Sequence, residues 1–406
     1  MADRITEIRI EGLRTIEKLT LKLDGLTVLI GENGTGKSTI LEACELLRRA
    51  AGADFMADFH GVHGGMFSLL RDGSDQLRLG VRVEAEAADD ENCPIEYEFV
   101  LVSQGVGAVI ASERLDLVPP GSDPPRQIII REQQRTRVSS GPEAKLKLLL
   151  PPEPTRLILA SSGMFSPHPA MDRLRSALAG IEVHLPFEVL PLWAARAFKR
   201  RSEARGSILL EPTTQVSPLA SNLANVYHAL RNEYGEGHWR DTMDYVRMGL
   251  GPEVESVNTR ADAGGGAIAL TLSVKERAEP MSAAVLSDGQ LAYLAFVGLY
   301  RLRSRRTLLA MDEPELHLHP GLLTRVVQFL SASAASHPVL IATHSDHLLD
   351  ALSEPARAVR VCEREQNRTR LRSLDSEALT AWLEDYRGLG ALRADGYMPS
   401  VLREDS

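Results

Sequence analysis

Gly31-Glu32-Asn33-Gly34-Thr35-Gly36-Lys37-Ser38-Thr39 is the stretch on which the reading of this chain turns. It fits the phosphate-loop pattern G-x-x-x-x-G-K-[ST] in full. Before it, Leu26-Thr27-Val28-Leu29-Ile30 is a short apolar, β-branched run that predicts a buried strand. After it, Ile40-Leu41-Glu42-Ala43-Cys44-Glu45-Leu46-Leu47 combines good helix formers with apolar residues at helical spacing. A strand, a glycine loop and a helix are the setting in which this pattern carries chemistry. Gly31, Gly34 and Gly36 let the backbone turn successive N–H groups inward, toward β- and γ-phosphate oxygens. The helix N-terminus that follows favours negative charge. Lys37 supplies a point charge and Ser38 offers its hydroxyl to Mg²⁺, with Asn33, Thr35 and Thr39 completing the loop. The stretch implies a site for a nucleoside triphosphate.

Composition sets the outer limits. The chain has 406 residues, which suits one large domain or two modest ones, and 44% of them are hydrophobic, enough for an ordinary core. A net charge of -9 and a pI near 5.7 argue against global attraction to nucleic acid or acidic membrane, though not against a local basic groove. Cys44, Cys93 and Cys362 are odd in number and far apart, which predicts a reduced chain without a disulfide framework or a paired-cysteine zinc site. Met1-Ala2-Asp3-Arg4 lacks the order of a signal peptide, and no apolar run approaches the roughly 20 residues of a membrane helix. A soluble, cytoplasmic protein is expected.

Taken in order, residues 4–30 alternate apolar and polar positions, which predicts two strands joined near Gly12 and feeding the loop strand. Residues 52–73 show no clear period. Residues 77–84 and 95–102 alternate cleanly and predict antiparallel strands with one wet face. Residues 115–125 read as a turn or loop, and Ile128-Ile129-Ile130 as one more strand. Pro151-Pro152-Glu153-Pro154 breaks the chain. Beyond it, 171–178, 222–233 and 239–248 read as helices. Gly264-Gly265-Gly266 reads as a turn between strands at 253–260 and 267–275. No heptad is sustained and no internal repeat appears.

A second cluster of chemistry lies near the other end. Leu286-Ser287-Asp288-Gly289-Gln290 opens a strongly apolar helix, and Thr307-Leu308-Leu309-Ala310-Met311-Asp312-Glu313-Pro314 follows. A strand ending in Asp-Glu puts two carboxylates at the edge of a sheet where ligands of open α/β folds bind. Asp312 would hold Mg²⁺, and Glu313 would orient or deprotonate the attacking water. Residues 338–343 predict another strand that delivers His344, able to contact a γ-phosphate. Each piece alone has a plain structural reading; Ser287, for example, is a natural helix N-cap. Their order after a complete phosphate loop is what makes them specific.

These residues resemble the ABC-type ATPase heads: Walker A at 31–38, a signature at 286–290, Walker B at 308–313 and a switch histidine at 344. Asn33 gives the form found on the SMC and RecF side of that superfamily. Asp312-Glu313-Pro314-Glu315-Leu316-His317-Leu318-His319-Pro320 and Thr343-His344-Ser345 look like the overcoming-lysogenisation-defect (OLD) family and related ATPases of bacterial anti-phage defence. The resemblance covers roughly 1–110 and 280–365. It implies a head-to-tail homodimer in which Ser287, Gly289 and Gln290 of one copy complete the ATP site built on Lys37 of the other. The OLD nucleases carry a further Toprim domain, and residues 345–406 show no spaced acidic strand ends, so a nuclease is expected as a separate polypeptide. No clear Q-loop glutamine is present; Gln76 reads as a solvated loop residue.

The expected fold is therefore an α/β ABC-type head with an antiparallel β lobe and a mainly helical insertion. The expected units are 1–115, 116–280, 281–365 and 366–406. The expected function is Mg²⁺-dependent ATP hydrolysis that scaffolds or gates a separately encoded effector, with no membrane partner. Higher oligomers and nucleic-acid contacts stay open. Two alternatives accompany it: a RecF-like clamp on duplex DNA, and an ATP-bound scaffold with little turnover. A metal site at His317, His319, His344 and His347 is set aside, because the family reading already occupies those positions. The basic runs 196–205 and 301–306 read as solvated faces or partner contacts before they read as nucleic-acid sites. A transporter subunit does not fit the form of the loop at Asn33.

Overall fold

A computed structural model describes residues 3–85, 93–105, 107–121, 124–133, 135–139, 147–149, 153–161, 168–191, 193–194, 203–261, 266–384 and 388–403. Its centre is a six-stranded sheet in the order Ile181–His184, Leu308–Asp312, Val339–Ala342, Leu26–Gly31, Val359–Glu365 and Arg368–Ser373. The first five run parallel and the last pairs antiparallel with its neighbour. The loop strand thus lies between strands drawn from the far end of the chain.

Successive side chains of a strand point to opposite faces, and a parallel sheet is buried on both. That geometry divides the protein into two cores. Leu29, Leu308, Ala310, Leu340 and Ala342 face one core, with the helix Lys37–Arg49 and the apolar face of the antiparallel lobe. Val28, Ile30, Leu309, Met311, Val339 and Ile341 face the other. There they meet helices Leu223–Asn232, Asp288–Arg301 and Pro320–Ser333.

The antiparallel lobe is an eight-stranded sheet that begins with Ile16–Lys22, Asp3–Leu13, Gln76–Ala85 and Ile95–Gln104. Leu77, Leu79, Val81 and Val83 are fully buried on one face, as their alternation predicts. On the other face Arg82 sits directly opposite Glu96 and pairs with it at 2.8 Å, while Arg78 reaches Glu98 at 2.5 Å. Cross-strand pairs of this kind hold a register on a wet face.

The interval 116–280, expected as one mainly helical insertion, is instead shared among three sheets. Strand Gly107–Leu117 crosses the expected boundary, and Arg126–Glu132, Arg135–Val138 and Lys147–Leu149 extend the antiparallel lobe. Strand Ile181–His184 becomes the edge of the parallel sheet. Val254–Ala261 and Ala267–Val274 pair in a third, smaller sheet beside helices Leu223–Asn232 and Glu236–Leu250. A hydrophobic pattern announces a strand but not its distant neighbour, which is why the insertion looked self-contained. The expected tail likewise supplies strand Arg368–Ser373 to the central sheet. The break at Pro151-Pro152, the glycines 264–265 and the basic residues 196–201 lie outside the described residues.

The edge strand is locked by charge as well as by its ladder. Glu182 accepts hydrogen bonds from Arg306 Nε (2.7 Å) and from Ser304, and both members of the ion pair are almost fully buried. Burial alone would raise the Glu182 carboxyl, but the hydrogen bond with His184 and the Arg306 charge outweigh it and hold it at about 2. Glu182→Gln strands a buried guanidinium and is expected to cost about 3–5 kcal/mol in urea unfolding. For the intact protein, the depressed carboxyl means full stabilisation above the ordinary 4.5 and progressive loss as pH falls toward about 2. An unfolding series that showed no such difference between wild type and Glu182→Gln would refute this role.

Candidate nucleotide site

Gly31–Thr39 closes over the C-terminal end of the loop strand as a turn that only glycine accommodates at two points. Gly36 has φ 106°, and a Cβ there would lie 2.5 Å from Thr369 Oγ1. Gly31 has φ 153°, and a Cβ would lie 2.2 Å from the Cys362 carbonyl oxygen. The hairpin 359–373 therefore presses directly on the loop. Thr35 stays inside the loop, its hydroxyl donating to the Glu32 carbonyl at 2.8 Å. Helix Lys37–Arg49 starts at Gly36 with no side-chain cap and no acidic residue in its first turn. Its leading N–H groups are left for an anion.

A cleft of about 510 Å³ opens over this turn, with Asn33, Gly34, Gly36, Lys37, Ser38 and Thr39 on its floor. Glu313 and His344 line the same cleft. Lys37 Nζ donates to the carbonyls of Gly31 (2.8 Å) and Glu32 (3.0 Å). Burial lowers the Lys37 pKa against the opposing pull of Cys362, Asp312 and Glu313. Ser38 Oγ donates to Asp312 Oδ2 at 3.2 Å, joining residues 274 positions apart in the chain. Burial raises the Asp312 carboxyl and the adjacent Glu313 adds to it, against the Ser38 hydrogen bond and the Lys37 charge. A hydroxyl and a carboxylate, both hard oxygen ligands, fit Mg²⁺, which would complete its shell from phosphate and water. Among the described residues no group of three or more His, Cys, Asp or Glu is placed to hold a metal by itself.

Glu313 takes a left-handed backbone, φ 44°, and its N–H donates to the Ala342 carbonyl at 2.8 Å. The kink re-aims its side chain at the strand end, the kind of local strain found where function requires it. Burial, reinforced by the Lys37 charge, holds the His344 imidazole below its ordinary 6.5 and so favours the neutral ring.

The signature lies elsewhere. Ser287 Oγ accepts from Gln290 N at 3.2 Å while Gln290 Oε1 accepts from Ser287 N at 2.9 Å, a reciprocal capping box. A Cβ on Gly289 would lie 2.9 Å from the His317 carbonyl. None of Ser287, Gly289 and Gln290 lines the cleft over Lys37. Gln76 opens strand Gln76–Ala85 rather than a loop, and it does not line the cleft either.

Several residues in and around the site have roles that their sequence context does not assign. Glu315 Oε1 accepts from Thr343 Oγ1 (2.6 Å) and His344 N (3.2 Å), bracing the turn that presents His344. Arg205 belongs to a basic run whose composition predicts a solvated face, yet it is buried. It donates to the carbonyls of Val189, Ala283 and Leu286 and to Asp288 Oδ1, fastening the turn into the signature helix. Arg301 and Arg306 of the second basic run also turn inward, Arg301 over the Tyr245 ring and Arg306 onto Glu182. Arg14, Thr15, Ser68, Leu70, Asp72, Arg364 and Asn367 complete the cleft wall. Of these, Arg14 falls in the opening motif Ile-x-x-Ile-x-Ile-x-Gly-Leu-Arg-x-Ile that resembles the family, and Asn367 is a turn-forming residue.

Fold and cleft together define an α/β ATPase domain built on a phosphate loop. The chain belongs to the family described as "AAA domain, putative AbiEii toxin, Type IV TA system", whose model matches residues 131–350, more than half of the chain. Residues 4–106 match a second model, the AAA ATPase domain. Among solved structures, the chain is similar to an SMC head bound to the C-winged-helix domain of ScpA. Identity is 14% and the TM-score 0.52, over 93% of this chain and 99% of that one. It is also similar to an SMC head with an extended coiled coil, bound to the C-terminal domain of ScpA, from Pyrococcus furiosus. There identity is 13% and the TM-score 0.50, over 95% and 100% of the two chains. At these identities the likeness is one of fold. No curated protein matches the chain. Among the described residues no helix is long and apolar enough to cross a membrane.

Glu315→Ala should release the Thr343–His344 turn and slow hydrolysis about 10- to 100-fold. ATP affinity should be nearly unchanged. Glu315→Gln, which keeps an accepting oxygen, should recover part of the rate. Steady-state kinetics with separate binding titrations read this, and a loss confined to affinity would contradict it.

Proposed function

We propose that this protein is a Mg²⁺-dependent ATPase whose hydrolysis is completed by a second copy of itself, arranged head to tail. The observation that supports it most is the split of chemistry in one chain. Lys37, Ser38, Glu313 and His344 line a single cleft, with Asp312 joined to it through Ser38, whereas Ser287, Gly289 and Gln290 are set outside it.

In this reading the loop amides and Lys37 bind the β- and γ-phosphates. Ser38 and Asp312 hold Mg²⁺, which neutralises charge on the phosphates when bound. Glu313 orients a water and accepts its proton as the water oxygen attacks the γ-phosphorus. The bond from that phosphorus to the β–γ bridging oxygen breaks, giving ADP and inorganic phosphate. Neutral His344 donates a hydrogen bond to the γ-phosphate. Ser287 of the second copy, at an N-terminus of an apolar helix, adds a hydroxyl and a helix dipole on the opposite side. A ligand that touches both copies favours the closed pair, and its hydrolysis releases them. Such a cycle suits gating of a separately encoded effector in anti-phage defence, as the resemblance to the OLD-related ATPases and the description of the matching family suggest.

Lys37→Ala should abolish ATP binding. Glu313→Gln should bind ATP normally, hydrolyse it very slowly and accumulate an ATP-dependent dimer measurable by light scattering after size exclusion. Wild-type turnover in Glu313→Gln would remove that carboxylate from the mechanism. A Glu313→Gln protein that stayed monomeric with saturating ATP would count against the composite site.

A further inference from the structure

We infer that Arg364 is a second phosphate-binding cation of the nucleotide site, supplied in cis by the hairpin 359–373 and positioned by Asn367. The inference rests on the nucleotide reading of the cleft and adds a residue that neither phosphate loop nor carboxylate strand contains. Arg364 and Asn367 line the same cleft as Lys37 and Glu313. The Arg364 guanidinium stands beside the loop: its Nη1 lies 3.8 Å from where a Cβ on Gly34 would sit. Arg364 Nε donates to Asn367 Oδ1 at 3.0 Å, across the turn of its own hairpin.

The hairpin is fixed to the loop. Val359–Cys362 pairs in parallel with Val28–Gly31, and Thr369 packs against Gly36. Thr369 N donates to the Thr15 carbonyl at 3.0 Å, and their hydroxyls meet at 2.8 Å. Arg71 Nη1 donates to the Asn367 carbonyl at 2.6 Å, holding the turn from the far side of the cleft. Gln366 and Asn367 both have positive φ, 48° and 64°, as a tight two-residue hairpin turn requires. The arginine is thus presented on a rigid support.

Its charge is the telling feature. The carboxylates of the hairpin are engaged by other cations, Glu363 by Arg372 (3.7 Å) and Glu365 by Arg370 (3.3 Å). Arg368 pairs with Glu17 at 2.9 Å. Among the described residues no carboxylate pairs with Arg364, whose guanidinium donates instead to the neutral amide oxygen of Asn367. A guanidinium beside a phosphate loop, with its donors only partly used and no counter-ion, matches the forked oxygens of a nucleotide's polyphosphate.

The test uses the full-length chain titrated with ATP and with ADP in a calorimeter, beside thermal melts. Arg364 is exposed, so its replacement should leave the melt unchanged. Arg364→Ala should weaken both nucleotides about 10- to 100-fold, the range for a hydrogen bond to a charged group. Arg364→Lys should recover part of the loss. Asn367→Gly keeps the turn and removes the amide, so it should weaken binding less. Combined with Arg364→Ala it should add nothing further, because both act on one contact. Wild-type affinity in Arg364→Ala, with binding still lost in Lys37→Ala, would overturn the role of Arg364 and leave the nucleotide site standing. Wild-type binding in Lys37→Ala as well would overturn the nucleotide reading beneath it. An additive effect of the Asn367 change would remove Asn367 from the positioning role.

Discussion

The structure depends on where one strand is inserted. Leu26–Gly31 is paired on one side with Val339–Ala342 and on the other with Val359–Cys362, both parallel to it. Parallel pairing aligns the C-terminal ends of all these strands, and ligands of open α/β sheets bind at that edge. The phosphate loop, the Asp312-Glu313 pair, His344 and the arginine hairpin are neighbours for this reason alone. The contacts that follow, such as Ser38 with Asp312 and Thr369 with Gly36, are consequences of that one insertion.

Once the edge is assembled, burial sets its electrostatics. Lys37 is pushed toward its neutral form, while Asp312 and Glu315 are pushed toward theirs. Each shift records a charge that water no longer solvates and that its neighbours only partly offset. In the proposed reading, a phosphate chain with a divalent cation would supply partners for both signs at once. Glu315 differs in one respect: its Oε1 is satisfied by the turn it braces, whereas its buried Oε2 has no partner.

Buried arginines serve the fold in places where their sequence context suggested a solvated surface. Arg205 collects carbonyls around the turn before Ser287, and Arg306 locks the edge strand through Glu182. A guanidinium has five donors in a rigid fork, so it can bind several carbonyls that would otherwise go unpaired when a turn is buried. Arg364 has the opposite character. It is exposed, held by a neutral amide, and stands beside backbone amides that themselves suit an anion.

The chemistry of the loop was legible in the sequence because it is local. Glycine spacing, Lys37 and Ser38 act within one turn, and the flanking strand and helix announce themselves by period. The Asp312-Glu313 strand end, the Ser287 cap and the strand before His344 were legible for the same reason. The order of strands, the sharing of 116–280 among three sheets, and the reach of residues 364–369 to the phosphate loop were not. Those features depend on pairing between segments hundreds of residues apart, and no local pattern records which neighbour a strand will choose. The sequence by itself determined the phosphate-loop turn and the strand ends that face it. Only the tertiary structure decided which distant side chains stand around it, because strand pairing and burial, rather than residue type, bring them to one edge.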